Sequence, residues 1–339
     1  MRSKHLIELD VVRLVSTLLI LIYHFGVESA TAALPGPAAF GTPGFSYLAE
    51  VGIALFFMLS GAALYWQWKT RWSLRRYITG RLLAIYPLFW TAFLALFLYG
   101  DVLHGNNPGV PRWKLIYSFL GLDGYLLAYT QTLYKIGEWF LGCLILLYAL
   151  FPLFFKLQKT KAGRLALGVG MAALWVLWPL VCPPAVEYAH TVLCRAPLFV
   201  LGMGLTAAFR KPGALAKLLA GSTALLALSL LLRVPRYYSL CLFAVLLFLA
   251  FCLAGPPLEK VPAAVAGALA RLSGKCYGVF LVHHITLILV LIPLMRRLPL
   301  PWPVWLAAFI VVSFLLSPLL QFCATPLRSL LSRALRPKM

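Results

Sequence analysis

The chain has 339 residues, 62% of them hydrophobic and only 12% charged, with a formal net charge of +21. Soluble domains carry about twice that share of charged residues, so water cannot solvate most of this surface. Nucleic-acid binding is excluded as well, because the cations lie in short clusters between apolar runs and build no continuous basic face.

A spanning helix needs about 20 mostly apolar residues. The sequence offers about ten such runs, near 7–27, 47–68, 80–99, 137–156, 164–182, 191–209, 214–232, 237–254, 274–295 and 303–323. These predict an all-α polytopic membrane protein: a bundle of about ten transmembrane helices forming a single membrane-embedded domain over residues 1–339.

The first run carries Glu8, Asp10 and Arg13, with His24 and Glu28 at its far end. Ala30-Thr31-Ala32 imitates a signal-peptide cleavage site, but Asp10 and Arg13 interrupt the apolar stretch, so it reads as a retained first membrane helix. A Gly/Pro/Ala-rich connection at 27–46 is a candidate lid. The second run contains Ser60-Gly61. The third is preceded by Lys69, Arg71, Arg75 and Arg76 and contains Arg81 and Tyr86-Pro87. The long connection 100–136 carries Asp101, His104, Asn106, Asn107, Pro108 and Asp123. Its stretch 112–129, with Trp113, Tyr117, Phe119, Tyr125 and Tyr129, predicts a short interfacial or re-entrant helix. Glu138 and Trp139 open the fourth run, and Tyr277, His283 and His284 lie in the late one.

Arg2, Lys4, Lys156, Lys159, Lys161, Arg164, Arg336 and Lys338 fall on one side of this arrangement, whereas Arg112, Lys114 and Lys135 are among the fewer cations on the other. The positive-inside rule then places both termini in the cytoplasm. The seven cysteines lie in or beside apolar runs without a CxxC, so they read as small core residues. The six histidines are scattered along the chain and predict no metal site.

Charged residues within a bilayer are rare and mark functional sites by default. Asp10 and Arg13 are three apart and share a helix face. Arg13 and His24 are eleven apart and share it too, separated by roughly 16 Å along the axis. Glu28, one turn beyond His24, is placed to orient its ring. The residues alone leave two readings open: interfacial anchors, or an anion anchor at one end and a proton acceptor toward the other.

Six segments together resemble the bacterial acyltransferase-3 family of integral membrane O-acyltransferases. ELDVVRLVSTLLILIYHF has the family's Arg separated by ten residues from a His, at Arg13 and His24. VGIALFFMLSGAALYW, RRYITGRLLAIYPLFW, EWFLGCLILLYALFP, RAPLFVLGMGL and SGKCYGVFLVHH follow in the family's order. Three positions depart from the usual pattern: Ala84 replaces a second arginine, Leu144 and Ile145 replace paired glutamates, and Cys276 replaces a serine.

The resemblance implies transfer of an acyl group, usually acetyl, from cytoplasmic acyl-CoA to a hydroxyl of an extracytoplasmic carbohydrate or cell-envelope glycan, in the bacterial cytoplasmic membrane. Acyl-CoA is then the donor substrate, with no metal cofactor, and the partners are membrane lipids and the glycan acceptor, with no nucleic acid. It implies His24 as the base or transient acyl carrier and Arg13 as a donor anchor, tuned by Glu28 and Asp10. Arg75, Arg76 and Arg81 would bind CoA phosphates. Glu138, Trp139, His283, Tyr277 and Ser60 would contact substrate. The competing reading is a transporter or flippase of a lipid-linked sugar or small anion, which would show matched repeats; none is visible.

Overall fold

A computed structural model describes residues 5–105, 109–133, 135–183 and 186–335. Arg2, Lys4, Asn106, Asn107, Pro108, Arg336 and Lys338 lie outside the described residues.

The described chain is helical, with no strand among those residues. The helices are α1 (Ile7–Thr31), α2 (Tyr47–Trp68), α3 (Leu74–Phe97), α4 (Leu115–Leu120), α5 (Asp123–Leu126), α6 (Glu138–Leu157), α7 (Lys161–Val181) and α8 (Val192–Leu205). They continue with α9 (Pro212–Leu231), α10 (Arg236–Leu253), α11 (Gly255–Leu258), α12 (Ala263–Ser273), α13 (Cys276–Ile285), α14 (Ile292–Arg297) and α15 (Trp302–Ala334). Among the described residues, nine helices are long and apolar enough to cross a bilayer. The tenth sequence candidate, 191–209, is the shorter helix Val192–Ala208, and Ala263–Ser273 is a further short apolar helix that the hydropathy pattern did not separate. The stretch 112–129 forms a 3₁₀ turn, Arg112–Lys114, followed by α4 and α5.

The apolar side chains explain why lipid is the solvent. Leu165, Val169, Leu180, Leu228, Leu231 and Phe322 stand exposed on α7, α9 and α15. Backbone polar groups closed within helices and outward apolar side chains are what hydrocarbon demands. The protein is an integral membrane protein.

The chain divides into two compact units. The first comprises residues 1–67 and 202–317. Its core packs Leu21 and Phe25 of α1 with Val279, Leu287, Trp305 and Phe309. At the start of α1, the buried Glu8 lies 3.3 Å from Arg210, which also pairs with Glu259 at 2.6 Å. Beyond α13 the helix continues as a π-helical stretch, Thr286–Leu291, into α14. Pro293 lacks the N–H that would complete a regular turn there, which accounts for the rerouted ladder.

The second unit comprises residues 68–201 and 318–339. Aromatic rings fill its core: Trp72 stacks on Phe155 at 4.4 Å, and Tyr77 stacks on Phe151 at 5.0 Å. The buried Tyr77 hydroxyl donates to the Tyr148 carbonyl at 2.7 Å. The Trp90 indole donates to the Phe119 carbonyl at 2.8 Å and stacks on the Phe119 ring, which ties α4 to α3.

Candidate active site

Two polar clusters occupy α1 within the first unit. Near its start, Arg13 Nη1 lies 3.6 Å from Asp10 Oδ1, one helical step of three residues away. Ser273, at the end of α12, bridges them: Arg13 Nη1 donates to its hydroxyl at 2.7 Å, and that hydroxyl donates to Asp10 Oδ1 at 2.6 Å. His5 adds a contact of 2.9 Å to Asp10 Oδ2. The carboxylate and guanidinium are therefore held by each other and by a neutral bridge, which offsets the cost of withdrawing them from water.

The second cluster lies three turns along. His24 Nδ1 and His284 Nε2 are 2.7 Å apart, a hydrogen bond in which either ring can be the donor. The rings meet edge-on at 4.2 Å, and the His283 ring stands 4.9 Å from each of the other two. His283 Nδ1 is 2.7 Å from the Phe280 carbonyl. A carbonyl oxygen only accepts, so this nitrogen carries the hydrogen, and the Nε2 of a neutral His283 is an acceptor. Leu21 and Phe25 of α1, Val279 of α13 and Leu287 of the π-helical stretch belong to one apolar core.

One ring nitrogen from each of His24, His283 and His284 lies within 4.8 Å of the other two. Three imidazoles are a ligand set that zinc sites use, although nothing in their sequence spacing announces it. The 2.7 Å separation of His24 and His284 is that of a shared proton. Two nitrogens bound to one zinc stand about 3.3 Å apart, so the rings would have to swing to hold one.

Of the other residues expected in this unit, Tyr277 stacks on Phe280 at 6.4 Å, on α13. Ser60 is half-buried on α2. Glu28 is half-buried near the end of α1; the group bonded to His24 Nδ1 is His284. His284 and Ser273 are the two polar partners that the sequence pattern does not assign to His24 and Arg13. The His283-His284 doublet was the visible signal for the first; nothing in the sequence flagged the second.

The remaining candidates belong to the second unit. Arg75 and Arg76 are exposed in the first turn of α3, whose N-cap Ser73 accepts from Arg76 N at 3.4 Å. Arg81 follows on the same helix, its guanidinium 5.5 Å from the Tyr148 ring centre. Its Nε is buried and has no hydrogen-bond partner among the described residues. Cations beside a helix N-terminus work against the helix dipole, and an anion between them relieves that opposition.

Glu138 opens α6 with φ of +22°, directly after Gly137 at +99°. A side chain is strained at the first value and glycine is at ease at the second. The α5 backbone presses against this turn: a Cβ added to Gly124 would collide with the Glu138 carbonyl carbon. Trp139, next along, stacks in parallel on His190 at 4.1 Å. The fully buried Arg195 lies 5.3 Å from the Trp139 ring centre and donates from Nε to the Ala189 carbonyl at 2.6 Å. Glu187 pairs with His190 at 3.4 Å.

Asp123, at the start of α5, is buried, and neither of its carboxylate oxygens has a hydrogen-bond partner of good geometry among the described residues. Burial pushes its carboxyl up to about 6, an effect the nearby Ser118 hydroxyl only partly offsets.

Residues 6–322 match the sequence model of a family described as an acyltransferase domain, the acyltransferase-3 type. No curated protein and no solved structure matches the chain.

Proposed function

We propose, because this chain belongs to the acyltransferase-3 family of membrane acyltransferases, that it transfers an acetyl group from cytoplasmic acetyl-CoA to a hydroxyl of an extracytoplasmic cell-envelope glycan. The observation that carries the proposal is the 2.7 Å bond between His24 and His284. In the tautomer where His24 Nδ1 donates to His284, His24 Nε2 holds a lone pair, the requirement for a general base.

In the proposed reaction His24 Nε2 takes the proton of the acceptor hydroxyl as its oxygen attacks the thioester carbonyl. The tetrahedral intermediate collapses with loss of the C–S bond. The CoA sulfur leaves and takes the proton back from the His24 imidazolium, so the products are an O-acetyl ester and free CoA. His284 holds the ring and stabilises the imidazolium, and His283 completes the cluster of imidazoles, with Phe280 between it and Tyr277.

Arg13, held by Asp10 and Ser273, anchors the donor. Arg75, Arg76 and the orphaned Nε of Arg81 bind the CoA phosphates, a charge-assisted task suited to guanidinium groups. Glu138 and Trp139 contact the acceptor. Glu28 tunes the local field near His24, and Ser60 lies along the acyl path. Both termini are cytoplasmic, and the membrane is the bacterial cytoplasmic one.

The test is turnover of labelled acetyl-CoA by the purified protein in proteoliposomes with candidate glycan acceptors. Wild type should release CoA and transfer label, and His24→Ala should lower the rate by about 10²–10⁴-fold. Arg13→Ala should act mainly through the KM for acetyl-CoA. A wild-type protein that consumes no acyl-CoA with acceptors present would sink the donor assignment and turn attention to transport.

A further inference from the structure

The second unit contains a cleft of about 260 Å³ lined by Tyr125, Tyr129, Trp139, Glu187, His190 and Thr191. It lies at the end of α6 that begins with Glu138, opposite the end that carries Lys156. From its walls we infer that it is a subsite for one neutral pyranose ring. Within the function proposed above, on which this identification rests, that ring is the acceptor sugar or its neighbour in the glycan.

Size is the first argument. Drug-sized ligands occupy pockets of roughly 300–1,000 Å³, so this cleft suits a smaller rigid body. Chemistry is the second. Tyr125 and Tyr129 set their ring centres 6.2 Å apart at 38°, and Tyr129 is 51% exposed. Trp139 and His190, stacked on each other, close the wall beside them as a rigid pair. Aromatic faces match the C–H faces of a pyranose and bury area at little conformational cost. The Glu187 side chain is 64% exposed and, with His190, offers an acceptor and an imidazole to ring hydroxyls.

The walls are pre-organised. Tyr125 Oη accepts from the Val192 backbone N–H at 3.3 Å. Thr191 Oγ1 accepts from the Trp178 indole at 2.7 Å and from Cys194 N at 3.3 Å, and donates to the Tyr188 carbonyl at 2.7 Å. The Val186–Thr191 connection is thereby tied to α7 and α8, and a rigid site loses less entropy on binding. An acyl tail would leave Glu187 and His190 facing hydrocarbon. An anion would meet the Glu187 carboxylate. A quaternary ammonium is the remaining rival for an aromatic cleft, but the Arg195 guanidinium already lies over Trp139 and opposes a second cation.

The test is saturation-transfer NMR on the full chain in lipid nanodiscs. The probes are the methyl pyranosides of glucose, galactose, mannose and N-acetylglucosamine, with choline chloride as the rival. At least one glycoside should receive saturation at its ring protons, and choline none. Tyr129→Ala and Glu187→Gln should each cut that signal by more than half, while Tyr129→Phe keeps it. Both positions are more than half exposed, so neither change threatens folding, and an unaltered thermal midpoint checks this. The inference is overturned if no glycoside receives saturation, if choline does, or if either variant keeps half the signal or more. Binding is read without turnover. A protein that binds a glycoside but consumes no acyl-CoA keeps the cleft and loses the donor assignment; one that consumes acyl-CoA without glycoside binding does the reverse.

Discussion

The histidine cluster of the first unit and the Asp123–Glu138 segment of the second both place titratable groups among apolar side chains, by opposite means. His24 hangs from α1, and His283 and His284 from α13, which runs on through the π-helical stretch into α14; their contacts are ring to ring and ring to backbone. Asp123 and Glu138 sit on short turns, where the backbone itself is bent to fit: Gly137 and Glu138 have positive φ, and Gly124 abuts the Glu138 backbone. Helices of many turns fix a side chain through redundancy. A single turn fixes it only through each of its own residues. The first design therefore concentrates sensitivity in chemistry, and the second in local stability.

The largest expected effect sharpens the first half of that contrast. His284→Ala removes the partner of His24 Nδ1 while leaving α1 and α13 in place, so kcat should fall about 10–100-fold, the usual range for a group that orients another. The KM for acetyl-CoA should stay within a factor of two or so. Ser273→Ala loosens Arg13 and should move KM more than kcat. Steady-state kinetics of the two variants side by side decide the matter; identical changes in both parameters would dissolve the distinction between the two clusters of α1.

The second half is tested by Gly124→Ala. Its Cβ would meet backbone carbon rather than a flexible side chain, so α5 or the start of α6 must shift. Overpacking of this kind costs about 1–3 kcal/mol. The apparent unfolding midpoint should drop, and acceptor-side contacts of Glu138 should weaken with it. An unchanged midpoint would mean that the turn has room to relax and is no tighter than the helices.

The two regions also differ in how far the sequence discloses them. The spacing of Arg13 and His24 puts both on one face of a helix that the structure confirms as continuous from Ile7 to Thr31. Periodicity carries that information because it repeats every few residues. It cannot say which distant helix meets that face, so the partners His284 and Ser273, 260 residues from His24 and Arg13, were out of reach. The short pieces α4 and α5 were legible only as one amphiphilic stretch, since six and four residues are too few to establish a period. The convergence of Tyr125, Trp139 and His190 on one cleft depends on turns whose geometry no local pattern announces.

Asp123 gives an effect confined to one pH window, with a definite sign. Its carboxyl is buried and held up to about 6, whereas an unfolded chain releases the proton near 4. Below about pH 4 both states are protonated and the group contributes nothing to the balance. Between about pH 4 and 6 the folded state still binds the proton and the unfolded state does not, so stability falls as pH rises. Above about 6 the folded protein carries a buried carboxylate, and the full cost, about 3 kcal/mol, is present. Asp123→Asn cannot ionise and keeps the shape. The variant should match wild type at pH 4 and exceed it at pH 7.5, with the difference opening between these values. Unfolding midpoints of both proteins across that range read this directly. Parallel curves would show that Asp123 titrates like an exposed carboxyl. The short-turn segment would then be no costlier to ionise than solvent-facing chain, and the contrast with the helix-borne histidines would rest on Gly124 alone.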